Sequence, residues 1–162
     1  MPSLELRPNG SYYCPDDPGE WGPASAPRVS ITDEEGAFLA WVARGRKVLE
    51  IGTGVGVSTR YLAQPGSVVL TLDPSEWVRE TVWPTLPENV ATCTDRQQVG
   101  SGFDVAFIDG DHHHSAFIED VAFCRDRMNV GGVIVAHDAT LLGLGPPWMV
   151  VLTVHGLGLL FV

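Results

Sequence analysis

Asp109, Asp111 and His112 follow one apolar run, Asp104 to Ile108, and His137 and Asp138 follow another, Gly132 to Ala136. If both runs are strands of an open α/β sheet, these side chains emerge at the carboxyl edge, where such sheets take their ligands. Carboxylates mixed with imidazole can hold a divalent cation, with Mg2+ or Mn2+ favoured where oxygens dominate. Asp109, His137 and Asp138 are the candidate metal ligands. His112 and His137 are the candidate catalytic bases, because imidazole can accept a proton near neutral pH. Three consecutive histidines, His112 to His114, cannot all face one ion. His113 reads as solvent-facing, and Asp111 suits the cap of a helix beginning near Ser115.

A second constellation lies upstream, in Glu50-Ile51-Gly52-Thr53-Gly54-Val55-Gly56. Glycines where a buried strand turns into a helix let the backbone approach a ligand and adopt unusual dihedrals. The spacing is G-x-G-x-G behind an acid. A dinucleotide fingerprint would want glycine at 57, where Val57 stands, which disfavours a nicotinamide-linked oxidoreductase. The helix start suits a pyrophosphate, whereas Glu50 suits a ligand carrying an ammonium group. Asp73 closes the next apolar run, about 20 residues past the glycines, where a carboxylate can accept both hydroxyls of a ribose. The plain alternative is a tight turn, with Asp73 capping the following helix through Ser75 or Glu76. Taken together, the two acids in register with the glycines fit a nucleoside with a cationic tail.

These residues need elements to hold them. The pattern predicts strands at Lys47 to Ile51, Ser67 to Leu72, Val90 to Thr94, Asp104 to Ile108 and Gly132 to Ala136. Between them it predicts helices at Val57 to Ala63, Glu76 to Trp83 (stopped by Pro84) and Ala116 to Met128, the last burying Phe117, Val121, Cys124 and Met128. Such alternation implies βαβ units, hence an α/β fold with a mainly parallel sheet and helices on both faces. Thr32-Asp33-Glu34-Glu35 reads as a capping box opening a further helix that buries Phe38, Leu39 and Val42. Residues 149–162 read as a closing hairpin around His155-Gly156. Residues 1–30, rich in Pro, Gly, Ser and Asp, read as an irregular arm in which Tyr12, Tyr13 and Trp21 serve as anchors or a substrate-side wall. Residues 31–162 form the single domain.

Composition narrows the function. A chain of 162 residues suits one core, and its formal charge of −10 opposes the counterion release on which nucleic-acid binding depends. No apolar run reaches the ~18 residues of a membrane span, and the amino terminus lacks the basic start and apolar stretch of a signal peptide. Cys14, Cys93 and Cys124 are an odd, widely spaced set, which leads us to expect a reducing cytoplasm. The apolar tail, Val150 to Val162, raises the expectation of a homodimer.

The glycine loop with Glu50 and Asp73 resembles the class I S-adenosylmethionine-dependent methyltransferases over about residues 30–140. The resemblance implies a Rossmann-like methyltransferase fold. It implies that Glu50, Gly52, Thr53, Gly54 and Gly56 hold the methionine part of S-adenosylmethionine, that Asp73 binds the ribose, and that Thr94 and Asp95 lie by the adenine. Asp109 is also placed beside the cofactor. The stretch from Asp104 through Asp138, with IDGDH, Asp120 and the terminal His-Asp, resembles the branch of small-molecule O-methyltransferases and cephalosporin hydroxylase-like proteins. It is also similar to the catechol and caffeoyl-CoA O-methyltransferases. Those enzymes carry metal-binding acids or an amide at the positions of Asp109, His137 and Asp138, and a lysine at that of His112. Here the lysine is absent, one acid is replaced by His137, and His114 stands where the branch often has Tyr. The function implied is methyl transfer to a hydroxyl of a small-molecule acceptor, with a divalent cation as an optional assistant. The alternatives are a non-catalytic cofactor-binding module and a hydroxylase-like enzyme with iron at Asp109 and Asp138.

Overall fold

A computed structural model describes residues 2–8, 10–16, 29–111, 113–151, 153 and 155–162. Strand β4 (Lys47–Ile51) runs parallel to β5 (Val68–Leu72) on one side and to β7 (Phe103–Ile108) on the other. Beyond β5 lies β6 (Val90–Cys93), also parallel, and beyond β7 lies β8 (Met128–Ala136). The hairpin β9 (Met149–Val151) and β10 (Leu157–Phe161) then closes the sheet antiparallel, giving the order β6-β5-β4-β7-β8-β10-β9. The chain builds outward from β4 in one direction and returns to build in the other. The carboxyl ends of β4 and β7 therefore flank a topological switch point, where open α/β sheets leave a crevice.

Side-chain alternation sorts the helices to the two faces. Val48, Val105, Phe107, Val133 and Val135 pack with Leu39 and Val42 of α1 (Asp33–Ala43) and Leu62 of α2 (Val57–Leu62). Their sequence neighbours Leu49, Ala106, Ile108, Ile134 and Ala136 pack with Phe117 and Cys124 of α3 (His114–Arg125). A period of two in each strand buries both faces, so the strands read as continuous apolar runs. The capping box forms as expected, Glu35 N–H donating to Thr32 Oγ1 (3.3 Å) and Thr32 N–H to Glu35 Oε2 (2.8 Å).

Four elements depart from the sequence reading. The arm is not irregular where it is described: β1 (Glu5–Leu6), β2 (Ser11–Tyr13) and β3 (Val29–Thr32) form a small antiparallel sheet that buries Cys14 and Ile31. Turn-forming residues dominate its composition and mask these short strands. Tyr12 anchors α1 by donating to Asp33 Oδ1 (2.9 Å), Tyr13 lies beneath the Arg7 guanidinium, and Trp21 falls outside the described residues. Residues 76–85 are helical, but as a π-turn over Val78–Val82 and a tight 3₁₀ turn over Trp83–Thr85. Pro84 stands in the first turn of that last segment, where its missing N–H costs nothing. Helix α3 ends at Arg125, not Met128, and Met128 instead opens β8 opposite Phe103. The register shift between Phe103 and Val105 absorbs the Gly131-Gly132 turn, so β8 starts before the predicted Gly132.

Candidate active site

The glycine loop is built against the end of β7. Gly52 (φ +92°) donates its N–H to Leu72 O (2.8 Å), and a Cβ added there would stand 2.2 Å from Asp109 O. Only a residue without a side chain lets β4 turn this close to β7. Gly54 (φ +49°) meets nothing within 4 Å, so the loop's outer side is open. Asp73, buried at the end of β5, accepts from Thr53 N–H (3.0 Å) and Gly54 N–H (3.0 Å) on Oδ2 and from Ser75 N–H (2.9 Å) on Oδ1. The structural reading of Asp73 holds: it organises the glycine loop and the entry to the next helical turn.

Glu50 is fully buried on the α2 side of β4 and accepts from Ser58 Oγ (2.7 Å) and Thr59 Oγ1 (2.6 Å). Burial pushes its carboxyl up to about 7, although the two hydroxyls pull in the other direction. The sequence reading passed over Ser58 and Thr59, whose small hydroxyls one helical turn past the glycines are the only local signal. Thr53 Oγ1 lies 2.7 Å from Thr71 Oγ1, and Arg60 closes the loop's far side on Gly56 O (2.7 Å). Asp95, past β6, caps the short turn Arg96–Gln98 through Gln97 N–H (2.8 Å).

The second constellation gathers at the ends of β7 and β8. His137 is buried, its N–H bonded to Ile108 O (2.9 Å), with Nδ1 3.1 Å from Asp109 Oδ1 and 3.4 Å from Asp138 Oδ2. Asp138 has φ +53°, a left-handed conformation that Asp tolerates better than most residues and that concentrates at functional sites. Burial disfavours a charge on His137, but Asp109, with Asp138 and Glu35, outweighs it and raises the imidazole to about 12. The three carboxylates around it favour a proton on the ring. Asp109, His137 and Asp138 bring their donor atoms within 4.8 Å of one another, and two carboxylates with one imidazole fit a divalent cation that displaces that proton.

The remaining predicted residues separate. Asp111 accepts from His113 N–H (2.9 Å), shaping the entry to α3, and His113 is exposed as expected. His112 lies outside the described residues. Asp120 is buried in α3 and paired with Arg96, tying the helix to the loop after β6. Glu35 and His155 were not foreseen. Glu35 is fully buried; beyond its capping bonds it accepts from Thr153 Oγ1 (2.6 Å) and His155 N–H (3.1 Å) on Oε1 and faces His155 Nδ1 (3.1 Å) on Oε2. Burial alone would raise its carboxyl, but these partners and His137 hold it far below the usual carboxylate range. The capping box explained Glu35 too well at the sequence level, and nothing local marks the pairing with a hairpin 120 positions on.

A methyltransferase-domain family matches residues 49–139, more than half of the chain, and spans both constellations. The chain belongs to that family, the class I S-adenosylmethionine-dependent methyltransferases. Among individual proteins, it is 30% identical over 141 residues to a catechol O-methyltransferase of Mycobacterium tuberculosis, covering 75% of this chain but only 62% of that protein. The fold is that of an O-methyltransferase from Bacillus cereus solved in complex with SAH (TM-score 0.64, 23% identity, 80% of this chain and 81% of that one). An rRNA methylase from Streptococcus thermophilus shares it too (TM-score 0.58, 20% identity, 78% of this chain and 92% of that one). The fold alone therefore does not choose the acceptor.

Proposed function

We propose that this protein transfers the methyl group of S-adenosylmethionine to a hydroxyl of a small molecule. The observation that carries the reading is the contact between the two constellations: Gly52 packs on the backbone of Asp109, so a cofactor on the glycine loop would present its methyl group beside Asp109 and Asp138. The catechol O-methyltransferase relative supports a hydroxyl acceptor, and the charge of −10 disfavours RNA. The odd cysteine count supports a cytoplasmic location, and among the described residues no helix is long and apolar enough to cross a membrane.

When bound, the cofactor supplies an electrophilic methyl on a sulfonium, and a divalent cation at Asp109 and Asp138 would lower the pKa of the acceptor hydroxyl. The chain's own residues do the rest. Asp73 fixes the loop backbone, and buried Glu50 fastens α2 through Ser58 and Thr59, so that the cofactor's reactive end is held in line with the acceptor. As the O–C bond forms and the C–S bond breaks, the acceptor's proton passes to a group at the β7–β8 edge. His137 faces Asp109 and Asp138 through Nδ1 and positions them, and because the carboxylates favour a proton on its ring it serves as the base only in its neutral form. His112 is the other imidazole assigned to that role.

Incubation with methyl-labelled S-adenosylmethionine and a panel of catechols, phenols and sugar hydroxyls tests the reading. We expect label on at least one hydroxyl compound. Tight SAH binding with no labelled product across the panel would favour the binding-module alternative, and no binding at all would sink the cofactor assignment.

A further inference from the structure

We propose that Glu35, His137 and His155 form a separate site for a transition-metal dication of the Zn2+ class, clipping helix α1 and the end of β8 to the closing hairpin. The three residues offer one donor atom each within 4.8 Å of one another. They come from the first turn of α1, the residue after β8 and the loop between β9 and β10.

The independent pointer is His137 Nε2. It is buried and makes no hydrogen bond; it faces Glu35 Oε2 at 3.5 Å, an ion-pair contact longer than a good hydrogen bond. Buried polar atoms in native folds are satisfied, and one that is not calls for a water or an ion. Glu35 Oε2 also lies 3.1 Å from His155 Nδ1. Tetrahedral Zn2+ with bonds of about 2.0–2.2 Å places its donors roughly 3.3–3.6 Å apart, so the two spacings to Glu35 Oε2 need little adjustment and the set as a whole, within 4.8 Å, needs only a small closing of the two rings. The His137 and His155 rings meet edge-on, centroids 4.9 Å apart at 61°, an orientation that lets two imidazole nitrogens converge on one point.

The surroundings are those a metal-bound imidazole and carboxylate require. His137 turns Nδ1 toward Asp109 Oδ1 at 3.1 Å, the carboxylate–histidine–metal arrangement that fixes the ring and raises its basicity. Thr153 Oγ1 and His155 N–H hold Glu35 Oε1, and Thr32 N–H holds Oε2, so the carboxylate is oriented before any ion arrives. Two nitrogens and one oxygen suit Zn2+, Co2+ or Ni2+ and not Mg2+, which needs an octahedron of oxygens. The site uses Nε2, whereas the Asp109 and Asp138 oxygens face Nδ1. A neutral imidazole has one lone pair, so His137 serves one site at a time, and an ion at Nε2 leaves the Nδ1–H bond to Asp109 in place.

The test is metal binding by the full chain after stripping with chelator, followed by dialysis against Zn2+ with metal quantification and titration with Co2+. The expected result is one Zn2+ per chain and the visible d–d absorption of tetrahedral Co2+. His155→Ala and His155→Gln should each weaken binding roughly 100-fold or more, with Glu35→Gln doing likewise, while Asp138→Ala should change it by no more than about threefold. His155 is only partly buried, so its two variants keep the test readable if Glu35→Gln fails to fold. Lack of retained Zn2+ and of the Co2+ band would overturn the proposal and leave an ion pair between Glu35 and His137. Binding unchanged in both His155 variants, or lost in Asp138→Ala as fully as in His155→Ala, would overturn it equally, the latter placing the ion at Asp109 and Asp138.

Discussion

Glu50 is fully buried with its carboxyl on Ser58 and Thr59, and burial holds that carboxyl up to about 7. A raised acid contributes stability that is complete below its unfolded value, about 4.3, and is lost as pH rises through its folded value. We therefore expect unfolding free energy to fall by on the order of 3 kcal/mol between pH 4.5 and 8. Urea melts across that range should show the slope, and Glu50→Gln should flatten it. A wild-type slope of opposite sign would count against the buried carboxyl. Asp73 makes a complementary case. Asp73→Ala removes the acceptor for two loop N–H groups as well as the charge proposed to meet a ribose, and should weaken SAH binding by roughly 1.5–3 kcal/mol by calorimetry. Affinity within twofold of wild type would return Asp73 to a purely structural part. Asp73, Asp109, His137 and Asp138 were legible because they stand just past strand patterns, and Glu50 because it sits in β4 directly before the glycine loop. Glu35 was not, because its partners lie at the other end of the chain.

At the scale of elements, the loop between β4 and α2 predicts two unequal glycine substitutions. Gly52→Ala drives a methyl group into the backbone of Asp109 and must part β4 from β7; we expect a loss of roughly 3 kcal/mol or more, and SAH binding should fail with it. Gly54→Ala meets no atom within 4 Å and pays only for its dihedral, about 1 kcal/mol. Paired thermal melts decide this, and equal losses would sink the asymmetry. The central strands were readable because burial on both faces leaves long Val, Leu and Ile runs. The strand β4 was anticipated with its observed bounds, Lys47–Ile51. What could not be read were features fixed by tertiary pairing: the bulge that pulls Met128 into β8, the π-turn at Val78–Val82, and the small sheet of β1, β2 and β3.

For the whole molecule, the tail expected to leave apolar surface exposed divides between buried and exposed residues. Strand β10 lies between β8 and β9, with Leu157 and Leu159 buried, while Phe161 at its end stays exposed. The argument for a homodimer therefore moves to β9, an outer strand of the seven-stranded sheet, where Met149 is half exposed and no lysine or proline interrupts the strand. Open edges of this kind pair readily, and two copies related by a twofold axis would join their sheets edge to edge. Light scattering at tens of micromolar, a concentration suited to weak association, should give twice the chain mass for the wild type and the chain mass for Val150→Pro. A wild-type monomer would remove the proposal.

Glu35 joins the first long helix to residues 118 and 120 positions further on. During synthesis the glycine loop and the ends of β7 and β8 can all be in place while this carboxylate still waits for Thr153 and His155 to leave the ribosome. Until the hairpin folds back, a carboxylate and an imidazole destined for the interior face solvent, and the crevice has an open side. A chain truncated after about residue 150 would therefore keep the glycine loop and lack the Thr153 and His155 partners of Glu35. In chain order Thr153 and His155 follow the other residues gathered here, so the hairpin reaches Glu35 only after they are made.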